Sequence, residues 1–181
     1  MVFWTGSCDY VLFNTTPYEG ILMKIGVISD THLRKPTPEL YELQHTVFAD
    51  VSMILHAGDL TELEVLEAFS DKEIIAIQGN MDSNVVRSQL PSKEVIEIEG
   101  FRIGITHGLG NPFRMPKRIV GGFDHVDVIV YGHTHRSDNQ IRDGILFFNP
   151  GAFSGRFPFF GKGSVGLLTL GEKVSGQIIK L

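Results

Sequence analysis

Cysteine is almost missing from this chain: among its 181 residues there is one, Cys8. A single thiol cannot close an internal disulfide, so the expected setting is a reducing one, the cytoplasm. Long apolar runs are missing too. No stretch reaches the roughly 18 residues expected of a membrane-spanning helix. Charge of one sign is not in large excess. Sixteen Lys and Arg against 21 Asp and Glu leave a net charge of -5, which argues against a broad platform for nucleic acid or an anionic membrane. What is present is ordinary for a globular chain: 43% hydrophobic and 20% charged residues, with length for one domain and a sizeable core.

The first 22 residues read differently from the rest. They hold Trp4, Asp9, Tyr10 and Pro17, without the basic start and clean apolar stretch of a secretory signal. Met23-Lys24 opens the first apolar run so directly that Met23 would serve as a native start. Residues 1–22 are then an N-terminal extension, and 23–181 form one domain.

From Met23 onward apolar β-type runs alternate with helical spacing. Lys24–Ser29, Val51–His56 and Ile74–Gln78 read as strands. Between them, Pro38–Asp50 and Thr61–Phe69 carry leucines and phenylalanines at helical intervals, and Thr61 followed by Glu64 resembles a capping box. A β-α-β-α-β order implies parallel strands. The second half adds strands at Glu94–Ile98, Arg102–Thr106, Asp127–Tyr131, Ile145–Asn149, Gly163–Leu170 and Lys173–Leu181, and a short helix within Pro112–Val120. Gly100 and Asp143-Gly144 suit hairpin turns. The expected fold is α/β, with two mixed β-sheets.

Polar residues gather where these strands end. Asp30 and His32 follow the first strand, Gly58-Asp59 the second, and Gly79-Asn80-Met81-Asp82 the third. His107-Gly108 follows Arg102–Thr106, and Gly132-His133-Thr134-His135 follows Asp127–Tyr131. Strand alternation would let residues two apart point the same way, so each pair can aim two donors at one spot. Open α/β sheets place ligands outside the carboxyl ends of their strands. Carboxylate, amide and imidazole donors together suit Mn²⁺, Zn²⁺ or Fe, and no thiolate is at hand for a soft-metal site.

The ordered string D-x-H, G-D, G-N-x-D, H-G and G-H-x-H resembles the calcineurin-like metallophosphoesterase superfamily over roughly Met23 to Leu181. Within it the chain is similar to small bacterial and archaeal phosphodiesterases, related in fold to the retromer scaffold subunit. The resemblance implies a sandwich of two mixed β-sheets flanked by helices. It implies a first metal on Asp30, His32 and His135, and a second on Asn80, His107 and His133. Asp59 would bridge the two. Metals about 3.5–4 Å apart can share a hydroxide for in-line attack on phosphorus. On this reading Asp59, Asn80, Asp82 and His107 are the catalytic residues. Mn²⁺ is the first expectation for the metal, with Zn²⁺, Fe, Ni²⁺ and Co²⁺ compatible. The implied function is a dinuclear phosphodiesterase acting on a small phosphoester. The alternative is a non-catalytic interaction scaffold on the same fold.

Two positions depart from the family pattern. Relatives with protein phosphatase activity carry histidine inside G-N-H-D, paired with the following aspartate as a proton donor. Here the slot is Met81, whose thioether cannot protonate a leaving alkoxide. The chain should therefore favour diesters, or esters with low-pKa leaving groups. Leu109 stands where many relatives have a histidine.

Other residues carry competing readings. Arg34 and Arg136 closely follow ligand pairs and are candidate phosphate binders, although loop arginines are more often solvated. Asn80 alone could serve as a turn residue in the left-handed region. His56 could touch substrate or be a packed, hydrogen-bonded strand histidine; His45 and His125 read as structural or exposed. Asn149-Pro150-Gly151 reads as loop architecture near the site. Phe153, Phe157, Phe159 and Phe160 suit a substrate pocket, a homodimer interface or the core. Gly161-Lys162-Gly163-Ser164-Val165-Gly166 matches G-x-G-x-x-G, but a strand follows it where a dinucleotide site needs a helix.

Overall fold

The computed structural model describes residues 22–111, 115–153 and 163–181. Among these described residues, ten strands form two five-stranded sheets. In the first sheet the order is β10 (Val174–Lys180), β9 (Ser164–Leu170), β1 (Met23–Ile28), β2 (Met53–His56) and β3 (Glu73–Ala76). Strands β1, β2 and β3 run parallel, while β9 pairs antiparallel with β1 and β10 with β9. The second sheet runs β4 (Lys93–Ile98), β5 (Phe101–Thr106), β6 (Val128–Tyr131), β8 (Ile145–Asn149) and β7 (Asp138–Arg142). Here β5, β6 and β8 are parallel and the two edge strands antiparallel. This is the sandwich of two mixed sheets that the strand pattern and the resemblance imply.

The sheets pack through alternate side chains, Ile25, Val27, Met53 and Leu55 from one and Ile103, Ile105, Val128, Val130 and Phe148 from the other. Phe148 fills the gap between the layers. Its ring lies where a Cβ on Gly166 or Gly176 would sit, so the two glycines are the hole for this knob. Removing a buried ring of this kind typically costs about 3–5 kcal/mol. The outer face of the first sheet is covered by α1 (Pro38–His45), a 3₁₀ helix (Leu63–Phe69) and α2 (Asn84–Gln89), around Leu40, Phe48, Ile54 and Phe69. The second sheet is covered by α3 (Met115–Val120), with Met115 and Ile119 against Ile129 and Phe147. Strands β2 and β6 are buried on both faces, which explains their unbroken apolar sequence.

Several local expectations need correction. The first helix stops at His45, short of Asp50. Over 61–69 there is a 3₁₀ helix beginning at Leu63, and Thr61 stands outside it at φ 86 with no capping box. The short helix expected within Pro112–Val120 is seen from Met115, residues 112–114 lying outside the described part. Strand β7 and helix α2 carry no apolar signature of their own and were not expected. Both hairpins are as expected: Glu99-Gly100 joins β4 to β5 and Asp143-Gly144 joins β7 to β8, all four at positive φ, the signature of a tight two-residue turn.

Candidate metal centre

Six parallel strands, three from each sheet, end on the same side, and the loops that follow them meet. The loops after β1 and β2 continue the ladder beyond the strands. Asp30 N–H donates to Gly58 O at 3.0 Å, His32 N–H to Asp59 O at 3.0 Å, and Leu33 N–H to Leu60 O at 3.0 Å. This pins Asp30, His32 and Asp59 side by side. Strand alternation is not what aims them, because β1 ends at Ile28 and β6 at Tyr131. Asp30, His32, Asp59, His133 and His135 all adopt positive φ, between 49 and 67°. Non-glycine residues rarely occupy this region, and such clusters of strain mark functional sites. The glycines beside them have a steric reason as well: a Cβ on Gly132 would run into Ser29 Oγ.

The side chains converge on two groups that share one carboxylate: Asp30, His32 and His135, and Asp30, Asp59 and His107. Asp30 Oδ1 lies 3.3 Å from His135 Nε2, 3.9 Å from His107 Nε2 and 4.0 Å from His32 Nε2. Asp59 Oδ2 lies 3.2 Å from His107 Nε2 and 4.0 Å from His32 Nε2. The His32 and His135 Nε2 atoms approach to 3.2 Å. Both carboxylates are buried and held from behind. Ser29 Oγ donates to Asp30 Oδ2 at 2.7 Å, and Met81 N–H to Asp59 Oδ1 at 2.7 Å.

His107 tests whether the cluster fits a metal ion. Its Nδ1–H donates to Ala57 O at 2.8 Å, which turns Nε2 toward the carboxylates. Nε2 is buried and, despite its 3.2 Å approach to Asp59, has no partner in hydrogen-bonding geometry. A ligand imidazole anchored through its other nitrogen has this arrangement. The donors present therefore fit divalent cations. Electrostatics point the same way. Burial opposes the charged form of His107, yet contact with Asp59 and the charge of Asp30 outweigh it and raise its pKa. For His32 burial wins over the same carboxylates and lowers the pKa. Burial would raise Asp59, but the His107 contact and the Met81 N–H hold it below the usual carboxylate range. Both carboxylates thus draw positive charge toward His107 and Asp59, while burial still dominates at His32.

Asn80 and His133 lie beside this cluster as a pair of their own. His133 Nδ1 is 2.7 Å from Asn80 Oδ1, its Nε2 is 3.1 Å from Gly110 O, and its ring meets that of His107 edge-on, centroids 5.3 Å apart. Asp82 is buried, and both its oxygens are engaged: Oδ1 accepts from Thr61 N–H and Oδ2 from Gly79 N–H, each at 2.6 Å. Arg34 and Arg136 are exposed. His56 is fully buried, its Nδ1 accepting from Gly58 N–H at 3.2 Å and its Nε2 3.2 Å from Thr31 Oγ1. It is the packed strand histidine of its two readings. Asn149 braces the histidine loop, donating to Gly132 O at 2.9 Å and accepting from Gly151 N–H at 2.8 Å. Phe153 is buried, while Phe157, Phe159 and Phe160 lie outside the described residues. Sequence reasoning missed Ser29 and the Ala57 carbonyl as orienting groups. Only the position of Ser29 directly before Asp30 hinted at the first.

Residues 23–173 match the calcineurin-like phosphoesterase superfamily domain. The chain belongs to this superfamily. A probable metallophosphoesterase of Methanocaldococcus jannaschii is 36% identical over 166 residues, covering 90% of this chain and 83% of that protein. A phosphodiesterase of the same organism is 30% identical over 172 residues, covering 87% and 99%. Among solved structures, vacuolar protein sorting 29 from Cryptosporidium parvum superposes with a TM-score of 0.70 at 25% identity, covering 88% and 92%. Membership in the calcineurin-like phosphoesterases implies divalent metal ions, and the two groups around Asp30 are candidate ligands for them. Among the described residues no helix is long and apolar enough to cross a membrane.

Proposed function

We propose that the chain is a dinuclear metal-dependent phosphohydrolase acting on phosphodiesters. The observation that carries this reading is the buried, unpartnered Nε2 of His107, facing two carboxylates next to a second imidazole group that shares Asp30. Asp30, His32 and His135 would hold one ion, and Asn80, His107 and His133 the other. Asp59 would bridge them, since its Oδ2 faces both His32 and His107. Mn²⁺ is the ion first expected; Zn²⁺, Fe, Ni²⁺ and Co²⁺ suit the same donors. When bound, two such ions supply Lewis acidity at phosphoryl oxygens and a water of lowered pKa.

The chain's own residues orient and bind. Ala57 O keeps His107 Nε2 aimed inward, while Ser29 and the Met81 N–H fix the carboxylates. The Asn80 amide, exposed at the rim, is available to a phosphoryl oxygen, and exposed Arg34 and Arg136 extend from the ligand loops as cations for the same group. Asp82 acts through the backbone it holds and not as an acid, because both oxygens are occupied. Met81, 61% exposed, brings no proton to a leaving group. Missing general acid assistance is worth about 10²–10⁴ in rate on a poor leaving group.

The scaffold alternative draws on the likeness to vacuolar protein sorting 29. The presence of all seven expected donor side chains favours the enzyme. The test is metal analysis joined to a substrate panel with Mn²⁺. Bound divalent ions are expected, with an aryl diester cleaved at least about 100-fold faster than a phosphoserine peptide. Asp59→Ala should lose more than about 100-fold in activity, since even orienting partners of metal ligands are worth 10–100-fold. Comparable rates on both substrates, or an active Asp59→Ala variant, would overturn the reading.

A further inference from the structure

A cleft of about 610 Å³ opens beside Asn80 and His107, bounded by α2, the start of β4 and α3. Its composition runs against that of the chain. Acidic residues outnumber basic ones 21 to 16 overall, yet among the described residues the cleft is lined by Arg87, Lys93 and Arg118 and by no carboxylate. None of the three forms an ion pair among the described residues. Arg87 Nη2 donates to Asn80 O at 2.5 Å and Lys93 Nζ to Gly122 O at 2.8 Å. Neutral carbonyls satisfy geometry and leave the charge uncompensated. The apolar part of the wall includes Leu109, Ile119 and Phe123, and Lys93 stands over the Phe123 ring, 5.8 Å from its centroid.

All three cations are exposed and solvated, and cations of one sign gathered in a cleft raise the local concentration of an anionic ligand. The volume suits one small organic group, and the net charge of -5 disfavours a long polyanion. Arginine's planar fork matches phosphate oxygens pairwise. We propose that this cleft binds the second substituent of the phosphodiester, an organic group bearing a further phosphate, and that Arg118 and Lys93 set that specificity. The chemistry at phosphorus rests on the function proposed above; the binding does not.

Two substrates sharing one leaving group test it: the 4-nitrophenyl ester of thymidine 5′-phosphate, with and without a 3′-phosphate. The 3′-phosphorylated compound should have a kcat/KM about tenfold higher at low salt, as expected for a pair of charge-assisted contacts, and the advantage should shrink as salt rises. Arg118→Gln and Lys93→Gln should bring the ratio toward one. Lys117→Gln, on the same helix but outside the cleft, should leave it intact. Calorimetry with the products reads the site without turnover: thymidine 3′,5′-bisphosphate should bind about tenfold more tightly than thymidine 5′-phosphate. If neither ester is cleaved but this difference persists and disappears in Arg118→Gln, the cleft stands and the phosphohydrolase reading falls. A binding ratio near one, or one indifferent to both substitutions, overturns the cleft.

Discussion

His56 lies directly behind the cluster, fully buried, with its two ring nitrogens committed to Gly58 and Thr31. From sequence alone a substrate contact was as good a reading as a packed strand residue, because a residue's neighbours in space are not written beside it. Burial holds its pKa down to about 4, below the ordinary 6.5. The sign follows from proton counting. Between these values the unfolded chain binds a proton that the native imidazole does not, so stability falls as pH drops from about 7 toward 4. A depression of this size corresponds to about 3 kcal/mol. Denaturant unfolding of wild type and His56→Asn across that range should show the gap between them narrowing by about this amount on acidification. A gap independent of pH would refute the assignment. The same scale explains the positive φ values. Motif spacing identified Asp30, His32, His133 and His135, but the left-handed backbone that aims them depends on contacts from the neighbouring loop.

Elements were legible where pattern and chemistry agree. Buried parallel strands such as β2 and β6 announce themselves as apolar runs, and Asp143-Gly144 and Glu99-Gly100 announce their hairpins. Strand β7 does not, because Asp138–Arg142 lies on an edge and is mostly solvent-facing. It is held by pairing with β8 and by the Asp138–Arg142 ion pair at 2.7 Å, onto which Tyr131 OH also donates. Thr61 shows a local signal overridden. Its capping-box spacing is cancelled because Asp82 captures its N–H and pins it at positive φ. That carboxylate joins two elements: the approach to the 3₁₀ helix and the Gly79–Asp82 turn that leads into α2. Asp82→Asn leaves one buried N–H facing an amide donor. It should destabilise the fold by about 2–3 kcal/mol, read by chemical denaturation, and weaken metal binding indirectly. A variant as stable as wild type would show that the two bonds are dispensable.

For the whole molecule, the candidate ligands come from both layers. Asp30 and Asp59 follow strands of the first sheet, and His107 and His135 follow strands of the second. Ions bound there would tie together two sheets otherwise joined mainly by apolar contact, such as Phe148 against the glycines of β9 and β10. Ligand at about 100 times its Kd stabilises by about 2.7 kcal/mol per site, and 1 kcal/mol moves the Tm of a chain this size by about 2–4 °C. Chelator-treated protein should therefore melt about 5–10 °C below protein given saturating Mn²⁺. Unchanged melting would mean that no ion spans the sheets.

The sequence by itself determined the fold class, the two hairpins and the identity of the polar residues that gather, because strand periodicity, turn chemistry and motif order are local properties. Tertiary structure alone decided that Asp30 is common to both groups, that His107 presents a bare nitrogen, and that Asp82 faces backbone. These depend on which loops of two separate sheets lie within a few ångströms of one another, and a linear string does not carry that distance.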